Sequence, residues 1–319
     1  MDSVNVGVLG CGSIGMRHIK NLLHAGHDVT AFDPQDAARA EARLAGATTT
    51  PTTAELWAQE PEVCIIASGT RQHVHLAAQA VEQGCHVFIE KPLSYRMEGI
   101  EALAERLEAQ DLISMVGCNM RFHPGPQEVK ARLTSGVIGT PLSARLHTGS
   151  YLPRWRPGQD HTKSYSADPE AGGAILDCIH ELDLALWFLG PATLAASETL
   201  PGTSIGVPLE GLAELLLRHE QSISSIHLDF MEHDYRRSIV ITGTKGTVSW
   251  RFQGPVETYD ATGDLVHRAD PPADWTLNDM YAAEMEHFLG AVRGDHAPMN
   301  TVREAARTLD LALQARGPS

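Results

Sequence analysis

Between an apolar, β-branched run at Asn5–Leu9 and a stretch of helical periodicity lies Gly10-Cys11-Gly12-Ser13-Ile14-Gly15, a G-x-G-x-x-G. At this spacing the three glycines act differently. The first makes a tight turn, the second lets an anion approach the backbone, and the third lets helix and strand pack closely. The N-terminus of the following helix offers unbonded N–H groups and a positive dipole end to phosphate. Alone, the motif could be no more than a glycine-rich turn; set between strand and helix it points to a dinucleotide pyrophosphate. Eighteen residues after Gly15 a second β-like run ends at Asp33, whose carboxylate can accept hydrogen bonds from ribose hydroxyls and would repel a 2′-phosphate. No arginine follows until Arg39, so the expected cofactor is NAD rather than NADP.

The first third continues in the same alternation. Short apolar runs at Asn5–Leu9, Asp28–Phe32, Val63–Ala67, His86–Glu90 and Ser114–Cys118 are separated by amphipathic stretches such as His73–Gln83 and Arg96–Gln110. This is the pattern of β-α-β units, and right-handed crossovers wind it into an open, doubly wound parallel sheet with helices on both faces. From about His123 the character changes. A helix at Gln127–Thr134 and a strand at Leu142–Thr148 are expected, then a long polar loop from Ser150 to Pro169, in which Ser166-Ala167-Asp168-Pro169 reads as a turn into a helix over Gly172–Leu189. Four strand-like runs follow with no helix between them, at Leu212–Arg218, Ser222–Phe230, Arg236–Thr242 and Thr247–Phe252. Their short turns predict hairpins and an antiparallel sheet. In Ser222–Phe230 one face is apolar and the other partly polar. Helices at Met280–Val292 and Val302–Ala315 close the chain. The expected fold class is α/β, with a dinucleotide-binding domain at 1–122 and a substrate-binding and oligomerisation domain at 123–319.

Composition narrows the partners. A formal charge of -15 is unsuited to nucleic acid phosphates and anionic membrane surfaces. No run of about 18 apolar residues occurs, and the strand beginning near Val4 leaves no room for a secretory leader, so a cytoplasmic protein is expected. The five cysteines are odd in number and include no C-x-x-C pair, which fits buried thiols in a reducing compartment better than a metal or redox site; no metal is expected.

Several further motifs fall at matching places along the chain: Glu90-Lys91-Pro92 after a strand, preceded by His73; Gly117-Cys118-Asn119-Met120-Arg121-Phe122-His123-Pro124; and Gly172-Gly173-Ala174-Ile175-Leu176-Asp177. In this order they resemble the Gfo/Idh/MocA oxidoreductase family over essentially the whole chain. The resemblance implies a Rossmann domain joined to a C-terminal α/β domain with a large, mainly antiparallel sheet that often supports oligomers, here a dimer or tetramer. It implies that Lys91 lies beside the nicotinamide and the reacting carbon, and that Asp177 and His180 match the family's aspartate and histidine. The spacing departs from the common D-x-x-x-H, since this chain has Asp177-Cys178-Ile179-His180. Which of the two touches the reacting hydroxyl stays open, although residues three apart on a helix can share a face. The expected cofactor-binding set is Gly10, Gly12, Ser13, Ile14, Gly15, Asp33, Ser68, His73, Glu90 and Lys91.

The chemistry asked of these residue types is hydride transfer between the nicotinamide and a carbon bearing a hydroxyl on a polyol, sugar or sugar derivative. Such a reaction needs a proton acceptor, for which histidine suits, and a cation beside the developing alkoxide, for which lysine suits. Lys91, Asp177 and His180 are therefore the catalytic candidates. Each has a plainer alternative: a solvated loop lysine, a capping acid, a satisfied core histidine. Arg121 could pair with a structural carboxylate as readily as touch substrate. The substrate-binding candidates are Lys91, Asn119, Arg121, Asp177 and His180, together with the basic and aromatic loop residues Arg154, Trp155, Arg156, Lys163 and Tyr165. With His161 beside them, these loop residues would suit an acidic or phosphorylated substrate, and a solvated or subunit-contacting loop explains them equally well. The competing functions are an enzyme that keeps its NAD bound and oxidises transiently, such as an NAD-dependent glycosidase, and a non-catalytic dinucleotide-sensing protein.

Overall fold

The computed structural model describes residues 3–317. Its first sheet is built from β1 (Asn5–Leu9), β2 (Asp28–Phe32), β3 (Thr48–Thr50), β4 (Val63–Ile66), β5 (His86–Glu90) and β6 (Ser114–Gly117). All neighbours pair in parallel, in the order β3-β2-β1-β4-β5-β6. This is the doubly wound arrangement, whose strand order reverses beside β1 and β4 and opens a crevice at their carboxyl ends. The helices α1 (Ser13–His24), α2 (Asp36–Leu44), α3 (Thr53–Trp57), α4 (His73–Glu82) and α5 (Ile100–Ala109) connect the strands. Val6, Val8, Ile65, Ile66, Val87 and Phe88 are fully buried, as strands covered on both faces require. The expected strands recur almost residue for residue. Strand β3, only three threonines long, carries no periodicity by which to expect it. Helix α5 starts later than its amphipathic pattern suggests, because Gly99 takes a left-handed conformation just before Ile100.

The second sheet has eight strands in the order β14-β13-β12-β11-β7-β10-β9-β8. Its members are β7 (Pro141–Gly149), β8 (Ala192–Pro201), β9 (Glu210–His219), β10 (Ile223–Asp229), β11 (Arg236–Gly243), β12 (Gly246–Arg251), β13 (Val256–Asp260) and β14 (Leu265–Ala269). Every pairing is antiparallel except that of β7 with β10. The helices α6 (Pro124–Thr134), α7 (Ala174–Asp177) and α8 (His180–Leu189) cover one face. Alternation fixes that face: Ser224, Ile226 and Leu228 are fully buried, while Ser225, His227 and Asp229 point the other way and keep partial exposure. Strands β8, β13 and β14 are additions to the expected set. Two of them are the outer strands of the sheet, and their exposed residues lack a clear apolar alternation.

Two differences from the sequence-based expectation have clear causes. The segment expected to be one helix over Gly172–Leu189 is two helices, because Cys178 (φ -93°, ψ 30°) leaves helical geometry between Asp177 and His180. Asp177 and His180 therefore do not share a face of one continuous helix. The first compact unit is also discontinuous: it comprises Met1–Cys118 together with Leu277–Arg307, and the second comprises Asn119–Thr276 with Thr308–Ser319. A boundary at residue 122 with everything beyond it in the second domain misses this return. Helix α9 (Leu277–Val292) and the start of α10 (Val302–Arg316) come back because the first sheet offers them partners. Phe288 packs on Phe88 with ring centroids 5.6 Å apart, Asn300 exchanges hydrogen bonds with Val116 (2.8 and 2.9 Å), and Arg303 pairs with Glu101 and Glu108. Among the described residues no helix is long and apolar enough to cross a membrane.

Candidate active site

At the carboxyl end of β1 the backbone turns at Gly10, whose φ of +108° is strained for other L-residues and whose absent Cβ would stand 2.5 Å from Ala67 O. Gly15, in the first turn of α1, faces Gly10 O so closely that no side chain fits. Gly12, by contrast, has open space where a Cβ would be. The three glycines thus behave as their spacing predicts, and the open one lies at the N-terminus of α1, where an anion can come close to the backbone. Ser13, Met16, Arg17 and Lys20 line a cleft of about 580 Å³ together with Cys11, Gly12 and, from α2, Glu41. No acidic side chain stands in the first turn of α1 to compete with a phosphate there.

Asp33 stands just after β2 and is held in place from both oxygens: Cys11 N–H donates to Oδ2 at 2.9 Å and Gln35 N–H to Oδ1 at 2.8 Å. The carboxylate is thus fixed to the fingerprint itself. Arg39 is engaged beside it, donating to Asp33 O at 2.6 Å and pairing with Asp36 at 3.1 Å. Cys11 is not a reactive thiol, since burial and then the Asp33 charge push it up to about 12.

The ends of β4 and β5 are tied together by His73. Its Nδ1 lies 2.9 Å from Pro92 O and its Nε2 3.0 Å from Ser68 O. Burial pushes its pKa down, against the opposing pull of the hydrogen bonds to both carbonyls. His73 thus joins the loop after β4 to the segment after β5. At the end of β5, Glu90 Oε1 accepts from His18 Nε2–H at 2.6 Å, and Oε2 accepts from Lys91 N–H at 3.2 Å. Lys91 follows on a peptide that is cis to Pro92. It thus stands at the carboxyl end of an interior strand of the sheet, the end at which open α/β sheets bind ligands.

In the second unit, Asp177 ends α7 and is buried, and Ser166 Oγ–H donates to its Oδ2 at 2.6 Å. His180 opens α8 and is also buried. The turn before α7 closes by Gly172 N–H to Asp168 O and Gly173 N–H to Ser166 O, both 2.9 Å, as the turn at Ser166–Pro169 predicts. Asn119 is buried at the start of a short 3₁₀ turn. Arg121 forms a two-pronged, buried pair with Asp183 at 2.7 and 2.8 Å, which fixes the start of that segment to α8. The expectation that Arg121 pairs with a structural carboxylate is met. A second pair, Arg237 with Glu181 at 2.8 Å, has no counterpart in the sequence motifs, since the two residues are far apart along the chain. Burial and Glu181 act oppositely on Arg237, and the carboxylate wins, raising its pKa.

The long loop folds into three 3₁₀ turns, Leu152–Arg154, His161–Lys163 and Tyr165–Ala167. It encloses a cavity of about 330 Å³ lined by Trp155, Arg156, His161, Lys163 and Ser166 among others. Arg156 lies over the Tyr165 ring at 4.9 Å, and Lys163 is 3.6 Å from Asp160. Arg154 is not in this wall; it stacks on Tyr151 at 5.4 Å instead. Ser166 is the residue that sequence reasoning missed here, and its link to Asp177 carries no local signal.

Known proteins share this fold over nearly the whole chain. A profile described as oxidoreductase family, NAD-binding Rossmann fold, matches residues 4–118, and the profile of the Gfo/Idh/MocA C-terminal domain matches residues 127–249. The chain belongs to the Gfo/Idh/MocA family of oxidoreductases, and its first unit is an NAD-binding Rossmann fold. The scyllo-inositol 2-dehydrogenase (NAD(+)) of Bacillus subtilis (strain 168) is 26% identical over 346 aligned positions, covering 98% of this chain and 93% of that protein. The myo-inositol 2-dehydrogenase of Thermotoga maritima is 28% identical over 332, covering 98% and 95%. Among solved structures, an oxidoreductase from Agrobacterium radiobacter in complex with NAD+, L-tartaric acid and magnesium has the same fold, with a TM-score of 0.87 at 20% identity over 99% of this chain and 96% of that one.

Proposed function

We propose that the protein is an NAD-dependent dehydrogenase that oxidises a secondary alcohol on a polyol or sugar derivative, or reduces the matching ketone. The observation that carries the reading is the placement of Lys91 after β5, with its backbone N–H on the same Glu90 carboxylate that His18 holds. The named activities of the inositol 2-dehydrogenase relatives support the same chemistry.

The residues of the first unit fit the cofactor. Gly12 leaves the pyrophosphate its approach, the N-terminus of α1 supplies N–H donors, and Asp33 offers its carboxylate to the ribose hydroxyls. NAD, when bound, supplies the hydride acceptor. The chain's own residues manage the proton. In oxidation the Lys91 ammonium stabilises the alkoxide as the O–H bond breaks, and the proton passes to His180 or Asp177, while Ser166 orients the Asp177 carboxylate. In reduction the same groups return that proton to the oxygen.

The substrate carries an acidic group, which the loop cavity receives through Arg156 and Lys163. The exposed face of the second sheet, with Leu216 and Val240 on it, pairs with a second copy to give a dimer or tetramer in a cytoplasmic setting. Light scattering at micromolar concentration tests the assembly, and a monomer refutes it. The function is tested by screening inositols, hexoses, uronates and nucleotide sugars for NADH formation, with absorbance of the denatured protein reporting any retained cofactor. Turnover with an acidic member above its neutral counterpart is expected. Bound NAD with no turnover on any class overturns the dehydrogenase reading in favour of a dinucleotide sensor.

A further inference from the structure

On the face of the second sheet not covered by helices, the register sets His147 of β7 directly beside His227 of β10. Neighbouring strands lie about 4.8 Å apart, so two side chains in register on one face must stack or diverge. These stack, with ring centroids 4.4 Å apart and planes inclined by 24°. The turn after β10 brings a third group to them: Glu232 Oε2 reaches within 2.8 Å of His147 Nε2. Ligand atoms of His147, His227 and Glu232 all lie within 4.8 Å of one another.

We propose that these three side chains form a binding site for a divalent transition ion of the zinc type, separate from the dehydrogenase chemistry. Two imidazoles and one carboxylate are a zinc donor set that leaves one position open. Two further features fit the same purpose. The first concerns the tautomer: His227 Nδ1–H donates to Glu214 Oε1 at 2.6 Å, which makes Nε2 the unprotonated ring nitrogen. A carboxylate behind a ligating histidine orients the ring and raises its basicity. The second is the close approach of Glu232 to the β7 backbone. A Cβ at position 149 would overlap the Glu232 carboxylate, with Cδ 2.8 Å away, so Gly149 is what lets that carboxylate lie down beside His147. Asp229 Oδ2 stands 3.8 Å from His227 Nε2, near enough to hold a water on the ion.

The test uses the full chain, stripped with chelator and dialysed against zinc alone. One zinc per chain is expected, with a rise in the unfolding temperature. Cobalt substitution should give the visible bands of a low-coordinate nitrogen and oxygen site without thiolate charge transfer, which separates it from any cysteine site. The variant pair His147→Ala/His227→Ala should abolish stoichiometric binding, and Glu214→Gln, whose side chain touches only a ligand, should weaken it about 10- to 100-fold. If the double variant does not fold, Glu232→Gln and Glu214→Gln carry the test. NAD affinity should not change in any of them. Absence of bound zinc in the parent protein, or undiminished zinc in the variants, overturns the proposal.

Discussion

His18 and Glu90 lie 72 residues apart, yet His18 Nε2–H donates to Glu90 Oε1 at 2.6 Å with the histidine side chain fully buried. Helix α1 and strand β5 are pinned together by this bond at the point where Lys91 begins. His18→Leu removes the donor and leaves a carboxylate in an apolar wall, which should cost about 1–3 kcal/mol of stability. Glu90→Gln keeps an acceptor oxygen and should cost less. Urea unfolding curves of the two variants check the order, and equal stabilities would show that the pair does not hold the strand end.

The Asp33 carboxylate, which Cys11 and Gln35 fix, is the proposed determinant of cofactor choice. NAD should bind better than NADP, and Asp33→Ser should narrow the gap, because the substituted site no longer repels a 2′-phosphate and Arg39 is already at hand. Titration of both cofactors by fluorescence measures this. Equal affinities in the parent protein would refute it.

Lys91→Ala and His180→Ala should each lower turnover by about 10²-fold or more, the scale of losing a positioned charge or proton acceptor. We expect the ordering Lys91, then Asp177, then His180, with NAD affinity nearly unchanged. Ser166→Ala should lower kcat more than it raises KM, since it removes the hydrogen bond that orients the Asp177 carboxylate and leaves Arg156 and Lys163 in place. Near-full activity of both the lysine and the histidine variants would leave the mechanism without support.

His123 predicts an acid limb in stability. Its Nδ1 accepts from Gly125 N–H at 3.0 Å to cap α6, and its ring packs against Trp250, Phe252 and Trp275. Burial, then the Arg237 charge, push its pKa from 6.5 down to about 4. Between these values the unfolded chain binds the proton and the folded chain does not. Stability is therefore complete above pH 6.5 and falls as pH drops toward 4, by up to roughly 3 kcal/mol. His123→Asn keeps a capping acceptor and cannot titrate, so its stability, lower at neutral pH, should change less across that window. Parallel pH profiles for parent and variant would refute the assignment.

The sequence by itself determined what depends on neighbours along the chain. The β-α-β alternation, the glycine spacing, Asp33 at a strand end and Lys91 after another follow from periodicity and turn chemistry, which act over a few residues. Tertiary structure alone decided the rest, because it turns on groups distant in sequence. Asn300 and Phe288 return to the first sheet only once its edge exists, and Asp183 claims Arg121 across 62 residues. The break between Asp177 and His180 interrupts an apolar stretch in which nothing local forbids a continuous helix. His147 and His227 become a pair only through the register of β7 with β10, since a slip of one residue would turn one of the rings to the buried face.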